Sequence, residues 1–453
     1  MELRELAMDL RSGALTPTEH VERVLSALDA LSGTPHANLA VSRDDDRARA
    51  DAQRADDQIS AGGWLGPLHG VAVAVKDNID VAGLPTRAGS AVLADAPPAA
   101  ADAAVVARLR AAGAVVVAKT HLHELAYGPT GAVSADGPAR HPTDPDRITG
   151  GSSSGSAALV ALGVVALAVG TDTGCSVRTP ASLCGVVGLK PTLGALPTTG
   201  VLPLSTTLDH VGVLTADVHG AAVAWDVLAR GEEGTGGGIQ APGVAGLRIG
   251  LPTGAMFRVL DPAISEAVQA AAATLRRGGA DVVEVEVDDV EALAATYPVI
   301  VGAEAYATHA AELAEHPERF QALTLERLRA QAPITALEYL TALRTRARLR
   351  AAILHTLGRT FGLHALLTAS TPLRATRLEE STHAGEDVRG ALLRLGIPFS
   401  VLGVPAVSVP APTVAGSTAG FAPGSAGGLP IGLQVAGVSL EERGVLRVAA
   451  AIS

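Results

Sequence analysis

Gly150-Gly151-Ser152-Ser153-Ser154-Gly155-Ser156-Ala157 sets three consecutive serines in a glycine-framed loop that opens onto an apolar run, Ala157 to Gly170. A Gly/Ser stretch of this kind is ordinarily a linker or a helix cap. A linker has no reason to feed a buried segment, and this one does. The uncharged run falls short of the roughly 20 residues needed to cross a bilayer, so it reads as a buried helix. That helix is expected to end in a second small-residue loop, Gly170-Thr171-Asp172-Thr173-Gly174-Cys175-Ser176-Val177-Arg178. Two such loops at the two ends of one helix imply a cause in the tertiary structure. Serine alone is a weak nucleophile and needs a base in reach and backbone donors aimed at the oxyanion. Catalytic use of these loops is one such cause.

Upstream, Val71 to Val75 reads as a strand ending at Lys76, with Asp77-Asn78 turning the chain. Ala103 to Ala112 has helical periodicity, Gly113 stops it, and Ala114 to Ala118 forms a second buried strand ending at Lys119. Strand, helix and strand in this order predict a parallel pair within an α/β sheet. A lysine acts as a base only when unprotonated, and desolvation lowers its pKa from about 10.4 by up to roughly 3 to 5 pH units. Both Lys76 and Lys119 end a valine-rich strand, so the residues alone leave the choice between them open.

Further out, Thr16-Pro17-Thr18-Glu19 has capping-box spacing ahead of an amphipathic helix carrying Val21, Val24, Leu25 and Leu28. Asp44 to Gln58 reads as a solvated helix, and Arg230 to Val244 as a flexible surface loop. Leu247 to Leu251 and Val282 to Val287 are expected strands, flanking a helix that Asp261-Pro262 caps and that runs to about Arg277. Residues 303 to 358 are mainly helical, and Arg344, Arg346, Arg348 and Arg350 form an ordinary solvated face. Pro398 to Ala436, rich in Pro, Gly and Val, suits short buried strands joined by tight turns. No internal repeat is found.

The 453 residues carry 48% hydrophobic side chains, 2% aromatics and a net charge of -11. An acidic surface repels nucleic acid, and few rings are available for base stacking, so nucleic-acid binding is not expected. Two cysteines, Cys175 and Cys184, are too few for a disulfide framework. The N-terminal stretch is charged throughout and lacks the pattern of a secretory signal. A cytoplasmic protein without a membrane span is expected.

GGSSSGSA at 150 to 157, GTDTGCSVRTPASLCGVVGLKPT at 170 to 192 and GVAVAVKDN at 70 to 78 together resemble the amidase signature family of Ser/Ser/Lys hydrolases. Further agreement comes from KTHLHELAYG at 119 to 128, GVLPLSTTLDHVGVL at 200 to 214, LGVPAVSVP at 402 to 410 and GLPIGLQVAG at 428 to 437. The resemblance implies one α/β domain over residues 1–453, its signature core spanning about residues 70–215. The fold it implies is a mixed twisted β-sheet covered by helices on both faces. It makes Ser176 the nucleophile, Ser152 the bridging serine and Lys76 the base, with Ser153 and Arg178 supporting the site. The N–H groups of Thr173, Gly174, Cys175 and Ser176 correspond to the oxyanion loop, Asp172 to the residue that shapes it, and Gly151–Ser152 to a cis peptide bond. The implied substrate is a small-molecule carboxamide, with no cofactor and no metal; a homodimer is left open.

Cys175 stands where the family usually has Gly and is expected to crowd the oxyanion loop or line the pocket; His121 replaces a common Asn, and Thr149 a common Pro. Helices within 303–358 and the loop Ala411 to Gly427 are expected to shape the pocket. Three other readings remain. Gly151 to Gly155 is a literal G-x-S-x-G, which would make Ser153 the nucleophile if a strand ran straight into it. His121-Leu122-His123 after a valine strand could supply two ligands for metal-dependent amide hydrolysis. The same triad would also serve an amidotransferase or a biosynthetic acyl-transfer subunit.

Overall fold

The computed structural model describes residues 2–230, 243–412 and 428–453. Most of the expected surface loop at 230–244 and of the expected pocket loop at 411–427 lies outside the described residues. The organising element is a sheet of 11 strands. Its first half comprises β1 (Ala40–Ser42), β2 (Ala72–Lys76), β3 (Val115–Thr120), β4 (Leu167–Asp172), β5 (Val187–Lys190) and β6 (His210–Thr215). Its second half comprises β7 (Arg248–Thr253), β8 (Asp281–Glu286), β9 (Ala365–Ala369), β12 (Ala406–Pro410) and β13 (Gly432–Gly437). The strand order is β1-β3-β2-β4-β6-β5-β12-β13-β9-β7-β8. The short strands β10 (Thr382–His383) and β11 (Glu386–Asp387) pair separately.

β2 lies parallel to both β3 and β4, whereas β4 and β6, β5 and β12, and β12 and β13 pair antiparallel, so the sheet is mixed as expected. Alternation along β2 sends Val73 and Val75 into one core with Val105, Val106 and Leu109, and Ala72 and Ala74 into another with Val24, Leu25 and Ala157. Strands buried on both faces need no polar alternation, which is why β2, β3 and β4 read as continuous apolar runs. Helices therefore cover both faces. Pro17–Ala30 and Ser154–Ala161 lie on one side, and Ala104–Ala111 and Glu442–Ala450 on the other.

The expected capping box is present: Thr16 accepts from Glu19 N, and Glu19 reaches back to Thr16 N. A cap of this kind contributes about 1 kcal/mol. An earlier helix, Leu3–Ser12, precedes it and buries Leu3, Leu6 and Leu10. The acidic helix spans Asp45–Ser60 and is not wholly solvated, because Ala48, Ala52 and Ala55 repeat on one face and are buried.

The largest departure from expectation falls on the apolar run after the serine loop. Helix Ser154–Ala161 ends early, Gly163 turns the chain at φ 69, and Leu167–Asp172 continues as β4 rather than as helix. The two small-residue loops therefore flank a helix-turn-strand unit. β-branched Val164, Val165 and Val169 favour that strand once a left-handed glycine has broken the helix. The segment from Pro398 also differs from a set of short strands, opening with helix Ile397–Leu402 before β12. The arginine face at 344–350 is only partly solvated: Arg346 Nε donates to Val401 O at 2.9 Å and Arg350 Nε to Leu402 O at 2.6 Å, tying down the end of that helix.

Candidate active site

Parallel neighbours leave a crevice beyond their carboxyl ends, and β2 and β4 end side by side at Lys76 and at Thr171-Asp172. The serine loop closes over this crevice from the N-terminal side of helix Ser154–Ala161, with a cis peptide bond at Gly151–Ser152. Lys76 Nζ lies 2.7 Å from Ser152 Oγ and 2.7 Å from Thr171 Oγ1, with Thr171 O at 3.4 Å. All these partners are neutral. Burial pushes its pKa down from 10.5 to about 7, against the opposing pull of Asp209 and Asp172. Lys119, the other strand-end lysine, ion-pairs with Asp77 at 2.9 Å and donates to Thr86 Oγ1 at 3.0 Å, so it serves as a structural cation.

The loop after β4 is fixed by one ion pair. Arg178 Nη2 meets Asp172 Oδ1 at 2.9 Å and Nε meets Oδ2 at 3.0 Å, while Oδ2 also accepts from Val177 N at 3.1 Å. The remaining guanidinium donors reach Gly174 O at 2.9 Å, Ser400 Oγ at 2.8 Å, Gln434 Oε1 at 2.8 Å and Gly396 O at 3.0 Å. Burial disfavours the Asp172 charge, but the Arg178 guanidinium outweighs it and holds the carboxyl well below the usual range. Among the described residues, the N–H groups of Thr173, Gly174, Cys175 and Ser176 find no acceptor. Ser176 keeps 7% of its surface exposed, while Lys76 and Ser152 keep none.

Ser153 N donates to Ser176 O at 3.1 Å, which brings the two serine loops into contact. No hydrogen bond joins Ser152 Oγ to Ser176 Oγ, so the hydroxyl chain is closed on the lysine side and open on the Ser176 side. Ser153 itself is fully buried and donates to Thr171 O at 3.1 Å. The chain enters this loop through bends, not a strand, so the nucleophile-elbow reading of Ser153 is set aside. His121 has both ring nitrogens engaged, by Ser154 Oγ at 3.0 Å and Gly137 O at 2.8 Å. Among the described residues no group of three or more His, Cys, Asp or Glu is placed to hold a metal ion. The paired-histidine reading thus lacks a ligand set.

Cys175 is buried, and a Cβ on Gly396 would lie 2.5 Å from the Cys175 Cβ. Only a glycine at 396 leaves room for this side chain, which therefore packs beneath the loop. Burial pushes its thiol up to about 12, so it is no competing nucleophile. Several residues of the site were not singled out from sequence. Asp209 accepts from Thr173 Oγ1 at 2.6 Å and from Leu204 N at 2.9 Å, and burial raises its pKa to about 6. The Tyr297 hydroxyl would stand 2.5 Å from a Cβ at Gly174, so the glycine lets the ring lie directly on the loop after β4. Asp209 sits inside the quoted TLDH segment, which is a local signal; Tyr297 has none.

The chain is 35% identical to AtzE, a 1-carboxybiuret hydrolase subunit of Pseudomonas sp. (strain ADP), over 99% of this chain and 97% of that protein. It is likewise 35% identical to a glutamyl-tRNA(Gln) amidotransferase subunit of Synechococcus sp. (strain WH7803), over 99% and 96%. The crystal structure of an amidase superposes with a TM-score of 0.88 at 36% identity, covering 100% of this chain and 99% of that one. The amidase family model matches residues 19–446. With a match of that extent over the fold and loops described above, the chain belongs to the amidase family.

Proposed function

We propose that this amidase breaks a carboxamide C–N bond through an acyl-enzyme on Ser176, with Ser152 relaying protons to and from Lys76. The observation that carries the reading is the lysine: buried, 2.7 Å from Ser152 Oγ, free of any carboxylate partner among the described residues and with its pKa lowered to about 7. A neutral amine there accepts the Ser152 proton. Ser152 in turn accepts the proton of Ser176 as Ser176 Oγ attacks the substrate carbonyl. A rotation of the Ser176 side chain closes the open end of the chain. The tetrahedral oxyanion takes the free N–H groups of residues 173 to 176 as donors. Returning the proton to the departing nitrogen breaks the C–N bond, and water then hydrolyses the ester by the same route.

The catalytic roles are tested by turnover of primary, aryl and peptidyl amides, with Ser176→Ala as control, and by mapping a fluorophosphonate adduct. Attachment to Ser153 instead of Ser176 would overturn the assignment. A second reading is favoured by the relatives: two of them are subunits, one of a transferase, so release of ammonia to an acceptor is the alternative fate. Hydrolysis of simple amides, glutamine included, by the isolated chain would support a free-standing amidase over that alternative. Two buried free cysteines suit the cytoplasmic setting expected above. Among the described residues no helix is long and apolar enough to cross a membrane.

A further inference from the structure

One helical turn from a contact with the loop that carries Ser176 stands a guanidinium with no ion-pair partner among the described residues. Arg389 belongs to helix Val388–Arg394, whose Leu393 approaches within 3.2 Å of where a Cβ on Gly174 would stand. Residues four apart share a helix face and are separated by about 6 Å along the axis. Arg389 is therefore one turn from the oxyanion loop, on the face that meets it. Its Cζ sits 5.9 Å from the centroid of the Tyr127 ring, and its Nε is buried without an acceptor among the described residues. The neighbouring Arg394 of the same helix also has a buried Nε without an acceptor among the described residues, but its Nη1 is paired with Glu386 at 3.2 Å.

The Tyr127 platform is itself tied to the site. Tyr127 precedes Gly128, whose carbonyl oxygen would lie 3.0 Å from a Cβ on Gly151, next to Ser152. Arg327 Nη1 donates to the Tyr127 carbonyl at 3.2 Å and adds a second positive charge. The charge of Arg389 is felt at Cys175 and Tyr297, and that of Arg327 at His123, so the field of this pair reaches the reacting loop. Asp387 and Glu326 oppose the Arg327 charge less than Tyr127 does and form no ion pair with it among the described residues, and Asp387 Oδ2 is occupied in capping its helix through Gly390 N at 2.7 Å. A half-buried, unpaired guanidinium is costly unless an anion completes it, and its planar fork matches a carboxylate.

We propose that Arg389, laid on Tyr127, binds a carboxylate of the substrate, so that the preferred amides carry an anionic group about one helical turn from the scissile carbonyl. This deepens the acyl-enzyme reading and rests on it. Monoamides of dicarboxylic acids, such as succinamate, glutaramate and adipamate, have the required form.

The test compares kcat/KM for this series with that for neutral n-alkanamides of equal length, in the full chain and in Arg389→Gln and Arg389→Lys. The wild type should favour the anionic amide by on the order of 100-fold, the usual worth of a charge-assisted hydrogen bond that the neutral analogue cannot make. Arg389→Gln should collapse that ratio, and Arg389→Lys should restore part of it. A ratio near one in the wild type, or a ratio unchanged in Arg389→Gln, overturns the proposal. In parallel, glutarate should slow fluorophosphonate labelling of Ser176 in the wild type but not in Arg389→Gln. Labelling without protection removes the carboxylate site alone, whereas an unlabelled Ser176 removes the acyl-enzyme reading and this proposal with it.

Discussion

Replacing Lys76 with methionine should abolish turnover and yet stabilise the protein at neutral pH. The folded state lowers the Lys76 pKa from 10.5 to about 7, chiefly through burial. That difference, about 3.5 pH units, corresponds to about 5 kcal/mol at 1.36 kcal/mol per unit. Between the two values the unfolded chain holds the proton and the folded chain has released it. Unfolding therefore takes up a proton, and the stability contributed by this residue rises with pH by about 1.4 kcal/mol per unit. Below about pH 7 none of that gain is present; above the unfolded value it is complete. Methionine keeps the apolar stem and removes the titration, but it leaves the Ser152 and Thr171 hydroxyls without their amine partner, at about 1 to 3 kcal/mol in all. Lys76→Met should thus be more stable than wild type by about 2 to 4 kcal/mol near pH 7 and less stable near pH 10. Urea unfolding of both proteins across this range measures the difference directly. A difference that stays flat with pH would refute a folded-state pKa near 7, and with it the neutral base.

For the wild type, kcat/KM should rise as pH passes through about 7, and Asp209→Asn should move that midpoint down by roughly one pH unit, because it removes the carboxylate that most favours the protonated amine; a midpoint that holds or rises would be inconsistent. Ser152→Ala should cost several orders of magnitude in turnover, as should Ser176→Ala, and only the Ser176 variant should resist the fluorophosphonate in mass spectrometry. Arg178→Gln strands the buried Asp172 charge and should cost about 3 to 5 kcal/mol in thermal or urea unfolding. Incubation with a strong chelator should leave the initial rate unchanged if hydrolysis runs through serine; loss of rate, restored by a divalent metal, would revive the His121 and His123 reading.

How far the sequence reaches depends on whether a residue's role is local. Paired glycine and serine loops, a lysine at a strand end and an aspartate at the head of an oxyanion turn are local signatures, and their spacing carries the family resemblance. Between Lys76 and Lys119 no local signature exists, since both follow a valine strand. Their fates diverge because Asp77 reaches Lys119 at 2.9 Å and the hydroxyls of Ser152 and Thr171 reach Lys76. The run Ala157 to Gly170 reads as one helix, and is not, for a physical reason. A helix buried all round and a strand buried on both faces are equally apolar, so periodicity cannot divide them, and only Gly163 marks the break. Tyr297, Arg327 and Arg389 come from helices more than a hundred residues downstream of the serine loops, and nothing in their own neighbourhoods points back to those loops.

The arrangement of charge also explains how Lys76 can lose its proton near neutral pH beside two aspartates, as the proposed mechanism requires. Each carboxylate is needed for shape: Asp172 holds the turn that carries Ser176, and Asp209 anchors Thr173 at the head of the same turn. Left unpaired, both would keep Lys76 protonated. Asp172 is instead bound by two contacts to Arg178, so most of its field closes on the guanidinium. Asp209 shares its charge among a hydroxyl and two backbone N–H groups, which weakens its hold on the proton of Lys76. Desolvation then decides the outcome, because neither carboxylate is left free to hold the ammonium. It follows that severing Asp172 from Arg178 should do more than loosen the turn: the freed charge should raise the Lys76 pKa, so Arg178→Gln should shift the pH–rate midpoint upward, opposite to Asp209→Asn. Equal or same-direction shifts in the two variants would show that the carboxylates act on the lysine only through loop geometry.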